Sequence, residues 1–301
     1  MKPILTGFFD NHQHINFEHM IDFTNQYGLD QLCIRSYNHK PLIEVTDSDI
    51  KLMVSALKAA KHKIAIMDSM IKPFDIHSEQ KFQNALDEFK YILKIAEKLK
   101  VSHVMMELPI FSEVIQEFEL INNRLEPFVD AAMKSNRKII IKPSQGYKAN
   151  VYQFIIKKMK TNQLGILYDP VYFMLNNESS VTSYRILKDK IYAFAFHDAY
   201  QQGQEALVGY GKADVVSICK KLIRDKYDGF ILMDNSFTPG AFDLTETKKG
   251  FFSKLFSNEK KKKEKYVTDL SRKIFPNEET KNVTYDDILE NQIKLVKTIF
   301  K

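Results

Sequence analysis

The strongest constraint on what this chain can fold into is a repeated alternation. Short runs of apolar and β-branched residues recur, each followed by a stretch with apolar residues at helical spacing. Strands are predicted at Ile4–Phe9, Gln31–Ser36, Lys63–Asp68, His103–Glu107, Lys138–Lys142, Leu164–Asp169, Ile191–His197 and Gly229–Asp234. Helices are predicted between them, at Asn16–Gln26, Ser48–Ala60, Glu79–Lys100, Ser112–Ser135, Val151–Lys160, Thr182–Lys188 and Val215–Asp225, and a last one at Tyr285–Phe300. Asp47 or Ser48 is expected to cap the second helix, and Asp214 the seventh. Continuous apolar strands alternating with helices imply a parallel sheet covered on both faces. Eight such units in 301 residues predict a (β/α)8 TIM barrel. An open doubly wound sheet fits less well, because it calls for a Gly-rich turn after the first strand. Here that strand runs into Asp10-Asn11-His12-Gln13-His14.

The rhythm breaks once. No strand is predicted from Asn235 to Thr284, so 235–284 is expected to be a basic insertion between the last strand and the last helix of a single domain, 1–301. From Lys248 to Lys265 it carries eight lysines against two glutamates, a balance equal to the whole formal charge of +6. The rest of the chain is neutral, so the charge does not describe a basic protein surface. The segment also holds Phe251, Phe252, Leu255 and Phe256. A solvated charge run is the first reading of 248–265; nucleic acid or an anionic surface is the second. No apolar run approaches a membrane span, and the N-terminus has no apolar signal-peptide core. Cys33 and Cys219 sit within apolar patterns and read as buried thiols, which suits a cytoplasmic location.

In a barrel of this kind, side chains at the strand ends converge on one mouth. The polar residues there are Asp10, Arg35, Asp68, Glu107, Lys142, Asp169, His197 with Asp198, and Asp234. Unpaired buried charge is costly, so such a ring points to a functional mouth. Arg35 is a candidate for binding a substrate phosphate or carboxylate, or for pairing with Glu107 or Asp68.

The motifs between and around these ends carry a resemblance. Ile34-Arg35-Ser36, Val45-Thr46-Asp47 and Ile64 through Ser69 resemble the opening of the sugar phosphate isomerase/epimerase family, a group of xylose-isomerase-like barrels. Tyr168-Asp169-Pro170-Val171-Tyr172-Phe173 is similar to its Asp-Pro-Ala-Asn-Phe turn. His197-Asp198-Ala199, Val208 through Asp214, and Tyr227 through Asp234 are similar to its later strands and links. The resemblance implies proton transfer on a small polyhydroxylated carbonyl compound, a sugar or sugar phosphate. It also implies one divalent metal (Mn, Mg or Zn) held by Glu, Asp, His and Glu at the ends of strands five to eight.

Carried over position by position, the strand-five glutamate falls on Lys142 and the strand-six aspartate on Asp169. The strand-seven histidine falls on Ala195, with His197 two residues on, and the strand-eight glutamate is Asp234. The implied metal set is thus Asp169, His197 and Asp234. An ammonium cannot coordinate a metal, so Lys142 is expected to take its place as a cation bridged to Asp169 and Asp234, with Glu107 a candidate base. A Schiff-base role for Lys142 and an amidohydrolase layout around His12 and His14 are further readings. The catalytic candidates are Lys142, Glu107 and Asp234; Arg35 and His197 are candidates for binding substrate. A non-catalytic descendant that binds a metabolite or partner is the alternative.

Overall fold

The computed structural model describes residues 2–10, 16–29, 31–234, 237, 242, 253–278 and 280–301, with Asp234 and 253–259 described as backbone only. Eight parallel strands close into a barrel: β1 Ile4–Phe8, β2 Gln31–Ile34, β3 Lys63–Asp68, β4 His103–Glu107, β5 Lys138–Lys142, β6 Leu164–Tyr168, β7 Ile191–Ala195 and β8 Phe230–Asp234. Each strand pairs with its sequence neighbours, and β1 closes the ring on β8 in the register Ile4↔Phe230 to Phe8↔Asp234. The (β/α)8 expectation is met.

Helices α1 Phe17–Gln26, α2 Asp47–Ala60, α3 Glu79–Lys98, α4 Phe118–Lys134 and α5 Ala149–Lys158 follow the first five strands. Two short helices, α6 Pro170–Leu175 and α7 Ser180–Leu187, follow β6, and α8 Val215–Arg224 follows β7. After β8 come α9 Ser253–Ile274 and α10 Tyr285–Ile299. The cap of α2 is Thr46, one residue before the expected pair, because Thr46 and Asp49 bond reciprocally across the first turn. Asp214 precedes α8 in a left-handed conformation and makes no side-chain cap. α4 starts six residues later than its periodicity suggests. Its lead-in folds around the Glu117 carboxylate, which accepts the Ser112 and Glu113 N–H groups at 2.7 Å each.

Alternation along the strands builds the mouth. Every strand contributes to an inner core cluster, and its layer nearest the mouth is Phe8, Cys33, Ile66, Met105, Ile140, Leu167, Ala195 and Leu232, all at most 6% exposed. The next residue, from Phe9 and Ile34 round to Phe196 and Met233, is buried in the outer core beneath the helices. Strand side chains repeat with period two. The third residue is therefore a ring position above the inner core: Asp10, Arg35, Asp68, Glu107, Lys142, Asp169 and His197, with the Asp234 backbone ending β8 in register with Phe8. Both cysteines are buried and free, as their apolar settings predicted.

On the mouth side, Asp198–Ala199 pairs with Glu205–Ala206 in a short hairpin. The C-terminal half of α9 docks there. Val267 and Leu270 are buried, the Tyr266 hydroxyl donates to the Glu205 carbonyl at 2.9 Å, and Lys273 Nζ donates to the Tyr200 hydroxyl at 2.9 Å. Phe251, Phe252, Lys248 and Lys249, and the side chains of Lys254, Leu255 and Phe256, lie outside the described residues. Among the described residues no helix is long and apolar enough to cross a membrane.

One glycine is fixed by packing. A Cβ on Gly165 of β6 would fall inside the Tyr192 ring, near its root rather than its tip. That ring cannot swing away freely, because its hydroxyl donates to the Asn162 carbonyl at 2.6 Å. Gly165→Ala is expected to cost about 1–3 kcal/mol by overpacking, read as a lower urea midpoint with an unchanged slope.

Candidate functional site

Lys142, Glu107 and Asp68 end three adjacent strands. Lys142 and Glu107 are direct register partners, and the long lysine stem reaches past β4 to β3. Its Nζ lies 3.1 Å from Asp68 Oδ2 and 3.3 Å from Glu107 Oε1. The Asp68 side chain is only 4% exposed, against 29% for Lys142, so the aspartate anchors the group and the ammonium faces the mouth. Asp68 Oδ1 accepts the Met70 N–H at 3.1 Å, which leaves Oδ2 turned to Lys142. Burial alone would push the Lys142 pKa down; the charges of Asp68 and Glu107 outweigh it and hold the ammonium above its ordinary value. Lys142 is therefore a fixed cation at neutral pH. A Schiff base needs the neutral amine, and these ion pairs act against it.

This corrects one expectation. Lys142 pairs with Asp68 and Glu107, not with Asp169, because Asp169 is turned toward other donors. Asp169 caps α6: its Oδ1 accepts the Val171 and Tyr172 N–H groups at 2.9 and 3.1 Å. The same oxygen lies 3.0 Å from His197 Nε2. Burial would raise the Asp169 pKa, but the His197 charge, its hydrogen bond and the two backbone donors hold it below the ordinary carboxylate value. Both side chains keep about a fifth of their surface open, 21% for Asp169 and 19% for His197.

Arg35 also differs from expectation. Its partner is Asp10, reached at 2.8 Å from Nε and 2.7 Å from Nη2, rather than Glu107 or Asp68. The guanidinium lies 4.5 Å above the Phe8 ring, directly over the inner core. The forked edge that would grip a phosphate is thus already on a carboxylate.

Asp198 was grouped with His197 as a mouth residue, but it has another task. It is 2% exposed and accepts four backbone N–H groups: Ala199 at 2.9 Å and Ala213 at 3.2 Å on Oδ1, Gly209 at 3.0 Å and Gly211 at 3.2 Å on Oδ2. Burial outweighs those bonds and raises its pKa. Gly211 has no room for a Cβ against Asp198, and Gly209 sits at φ +92°. The Gly209-Tyr210-Gly211 spacing is the signal in the sequence for this wrapped loop.

The donor set does not fit the metal that the family resemblance implies. Among the described residues no three His, Cys, Asp or Glu side chains converge as a metal group. The position of the first ligand is an ammonium, and Ala195, the position of the expected histidine, belongs to the inner core. His197 stands one layer higher, against Asp169. His12, His14 and the side chain of Asp234 lie outside the described residues.

A closed barrel with a polar ring at the C-terminal ends of its strands defines the class. The family model for xylose isomerase-like TIM barrels matches residues 17–248, and the chain belongs to that family. No curated protein matches it. Among solved structures it is similar to a D-psicose 3-epimerase determined in the presence of D-fructose, at 11% identity and TM-score 0.67, covering 100% of this chain and 99% of that one. The probable 3-DHS dehydratase AsbF of Bacillus anthracis gives 13% identity and TM-score 0.64 over 99% of both chains. A xylose isomerase-like TIM barrel protein from Mycobacterium smegmatis, in complex with magnesium, gives 12% and 0.62, over 79% of this chain and 91% of that one. At these identities the likeness is one of fold.

The depressed Asp169 pKa has a signed consequence. The folded carboxylate binds a proton less readily than the unfolded one, so its pairing stabilises the fold above about pH 4 and fades as pH falls through the folded value. Urea midpoints measured from about pH 6 down to pH 2 are expected to fall more steeply for the native protein than for Asp169→Asn, which keeps a capping side chain without the titration.

Proposed function

We propose that the mouth catalyses proton transfer next to the carbonyl of a small polyhydroxylated compound, as a sugar epimerase or isomerase, with Lys142 as a built-in cation in place of a metal. The observation that carries this reading is the Lys142 ammonium, held between Asp68 and Glu107 and facing the mouth. The likeness to a 3-epimerase and to a probable dehydratase supports a substrate of this kind.

In the proposed reaction, the substrate carbonyl oxygen accepts a hydrogen bond from Lys142. Glu107 takes the proton from the neighbouring carbon. The C–H electron pair forms the new C=C bond, and the carbonyl π pair moves to oxygen as an enolate. That negative charge develops against the ammonium, where a preorganised donor is most effective. His197, oriented by Asp169 from β7 across the ring, returns a proton to the opposite face. No atom is gained or lost, and the product is the epimer; return to the former carbonyl carbon, with the neighbouring hydroxyl proton passing to the enolate oxygen as the new C=O forms, gives the isomer. Two proton carriers on separated strands, with the cation on a strand between them, suit a two-base exchange.

Incubation with a panel of ketoses and aldoses in D2O containing EDTA tests the reading by mass spectrometry. The expected result is incorporation of a solvent deuteron beside the carbonyl. The rate should fall about 10²–10³-fold in Lys142→Met and about 10²–10⁴-fold in Glu107→Gln. Exchange that persists undiminished in Lys142→Met contradicts the role given to the cation. Sugar binding without any exchange favours a non-catalytic binder, the reading that the altered donor set also suits.

A further inference from the structure

We infer that the outer face of α5 is a docking surface for an acidic segment of another protein, one that carries a large apolar side chain among its carboxylates. The surface lies on the flank of the barrel and uses none of the ring residues.

α5 stands as a ridge between two clefts. Tyr152, Ile155 and Ile156 turn into the core, which leaves Asn150, Gln153 and Lys157 facing outward at helical spacing. One cleft, of about 450 Å³, opens toward the end of α7 and the turn at Lys188–Lys190 that leads into β7. The other, of about 640 Å³, opens toward the lead-in to α4. Gln153, Lys157 and Lys160 line both, so the two clefts adjoin across the C-terminal part of the helix.

The charge of this surface is one-sided. Lys157, Lys158, Lys160 and Lys190 line the clefts against a single carboxylate, Asp189. Among the described residues none of these four lysines stands in an ion pair. Lys190 Nζ reaches neutral oxygens, Asn162 Oδ1 at 3.3 Å and the Thr161 carbonyl at 3.4 Å, and Lys158 Nζ lies 5.7 Å from the centre of the Phe154 ring. The mouth is the contrast, where Arg35 and Lys142 are each on a carboxylate. Lysines in the last turn of a helix are ordinary, since they face its negative end. That accounts for Lys157 and Lys158 but not for Lys190, which comes from another element.

The apolar lining selects the kind of anion. Val114, Ile115, Val151 and Phe154 wall the larger cleft. Ile115 is 76% exposed, more than any other large apolar side chain among the described residues. A phosphate backbone would use the lysines and leave that wall in water. An acidic peptide with a large apolar residue uses both. Its apolar side chain covers Ile115 and Phe154 and removes their surface from water. Its carboxylates lie along the lysines, where complementary charge sets specificity and the rate of association.

Fluorescence anisotropy of a labelled peptide, Glu-Asp-Glu-Leu-Phe-Glu-Asp-Glu, titrated with the whole chain tests the inference. Saturable binding is expected, weakening as NaCl is raised. The double variant Lys157→Glu, Lys190→Glu should weaken it by roughly tenfold or more, and Ile115→Ser by roughly fivefold, with thermal midpoints showing that both variants remain folded. Absence of saturable binding overturns the inference, as does binding undiminished in either folded variant. Equal binding of a peptide with Ser-Ser in place of Leu-Phe removes the apolar seat and overturns it too. Tighter binding of an oligodeoxythymidylate of equal charge would assign the surface to nucleic acid instead. A dimer in sedimentation equilibrium that is lost in Ile115→Ser would assign it to a second copy of the chain, and either result contradicts the acidic segment.

Discussion

The ammonium of Lys142 must be neutralised where it stands, because β5 delivers it directly above the apolar inner core. Its side chain keeps under a third of its surface in contact with solvent, and Ile140 two residues earlier is fully buried. Two carboxylates meet it there, Glu107 from the next strand and Asp68 from the strand beyond. A partly buried cation with a single counter-ion would be poorly compensated for lost hydration; with two it is held charged. The same demand acts all round the ring. Asp10 answers Arg35 and His197 answers Asp169, so the described mouth is a set of local ion pairs rather than a set of open lone pairs waiting for a metal.

Rigidity at the mouth comes from the loops as much as from the strands. Asp169 both caps α6 and holds His197, so the start of that helix and the orientation of the imidazole are coupled. Immediately after His197, the backbone enters the loop wrapped on Asp198. Asp198 also opens the hairpin on which α9 docks through Tyr266 and Lys273, and the wrapped segment 209–213 follows that hairpin. The Lys273 ammonium lies 4.9 Å from the Tyr210 ring centre, between the two glycines that surround Asp198. The docked end of α9 thus braces the loop adjoining His197.

The barrel was largely legible in the sequence, because period-two strands and helical spacing leave separate signatures. β3, β4 and β5 begin and end where their apolar runs do. The start of α4 was not legible, since it depends on one carboxylate folding the lead-in. All eight ring positions could be read from the strand ends, but their partners could not. Lys142 reaches across a whole strand to Asp68, and Arg35 turns back to Asp10, contacts set by lateral geometry that one-dimensional spacing does not carry. The layer of His197 was hidden for a related reason. Ala195 and His197 share a face, and only the closed inner core shows which of them stands at the height of Asp169. Asp198 was visible as a charge, while its burial under four N–H donors required the loop.

The central claim is the proposal that Lys142 stands where the family resemblance places a metal ligand, and that its ion pairs with Asp68 and Glu107 take the place of a bound metal. Titration of the metal-stripped native protein with Mn²⁺, followed by electron paramagnetic resonance, tests this most directly. The expected result is no stoichiometric, tightly bound Mn²⁺, with the spectrum of the free ion throughout. A saturable site that disappears in Asp169→Asn would contradict it, and would return the mouth to metal chemistry.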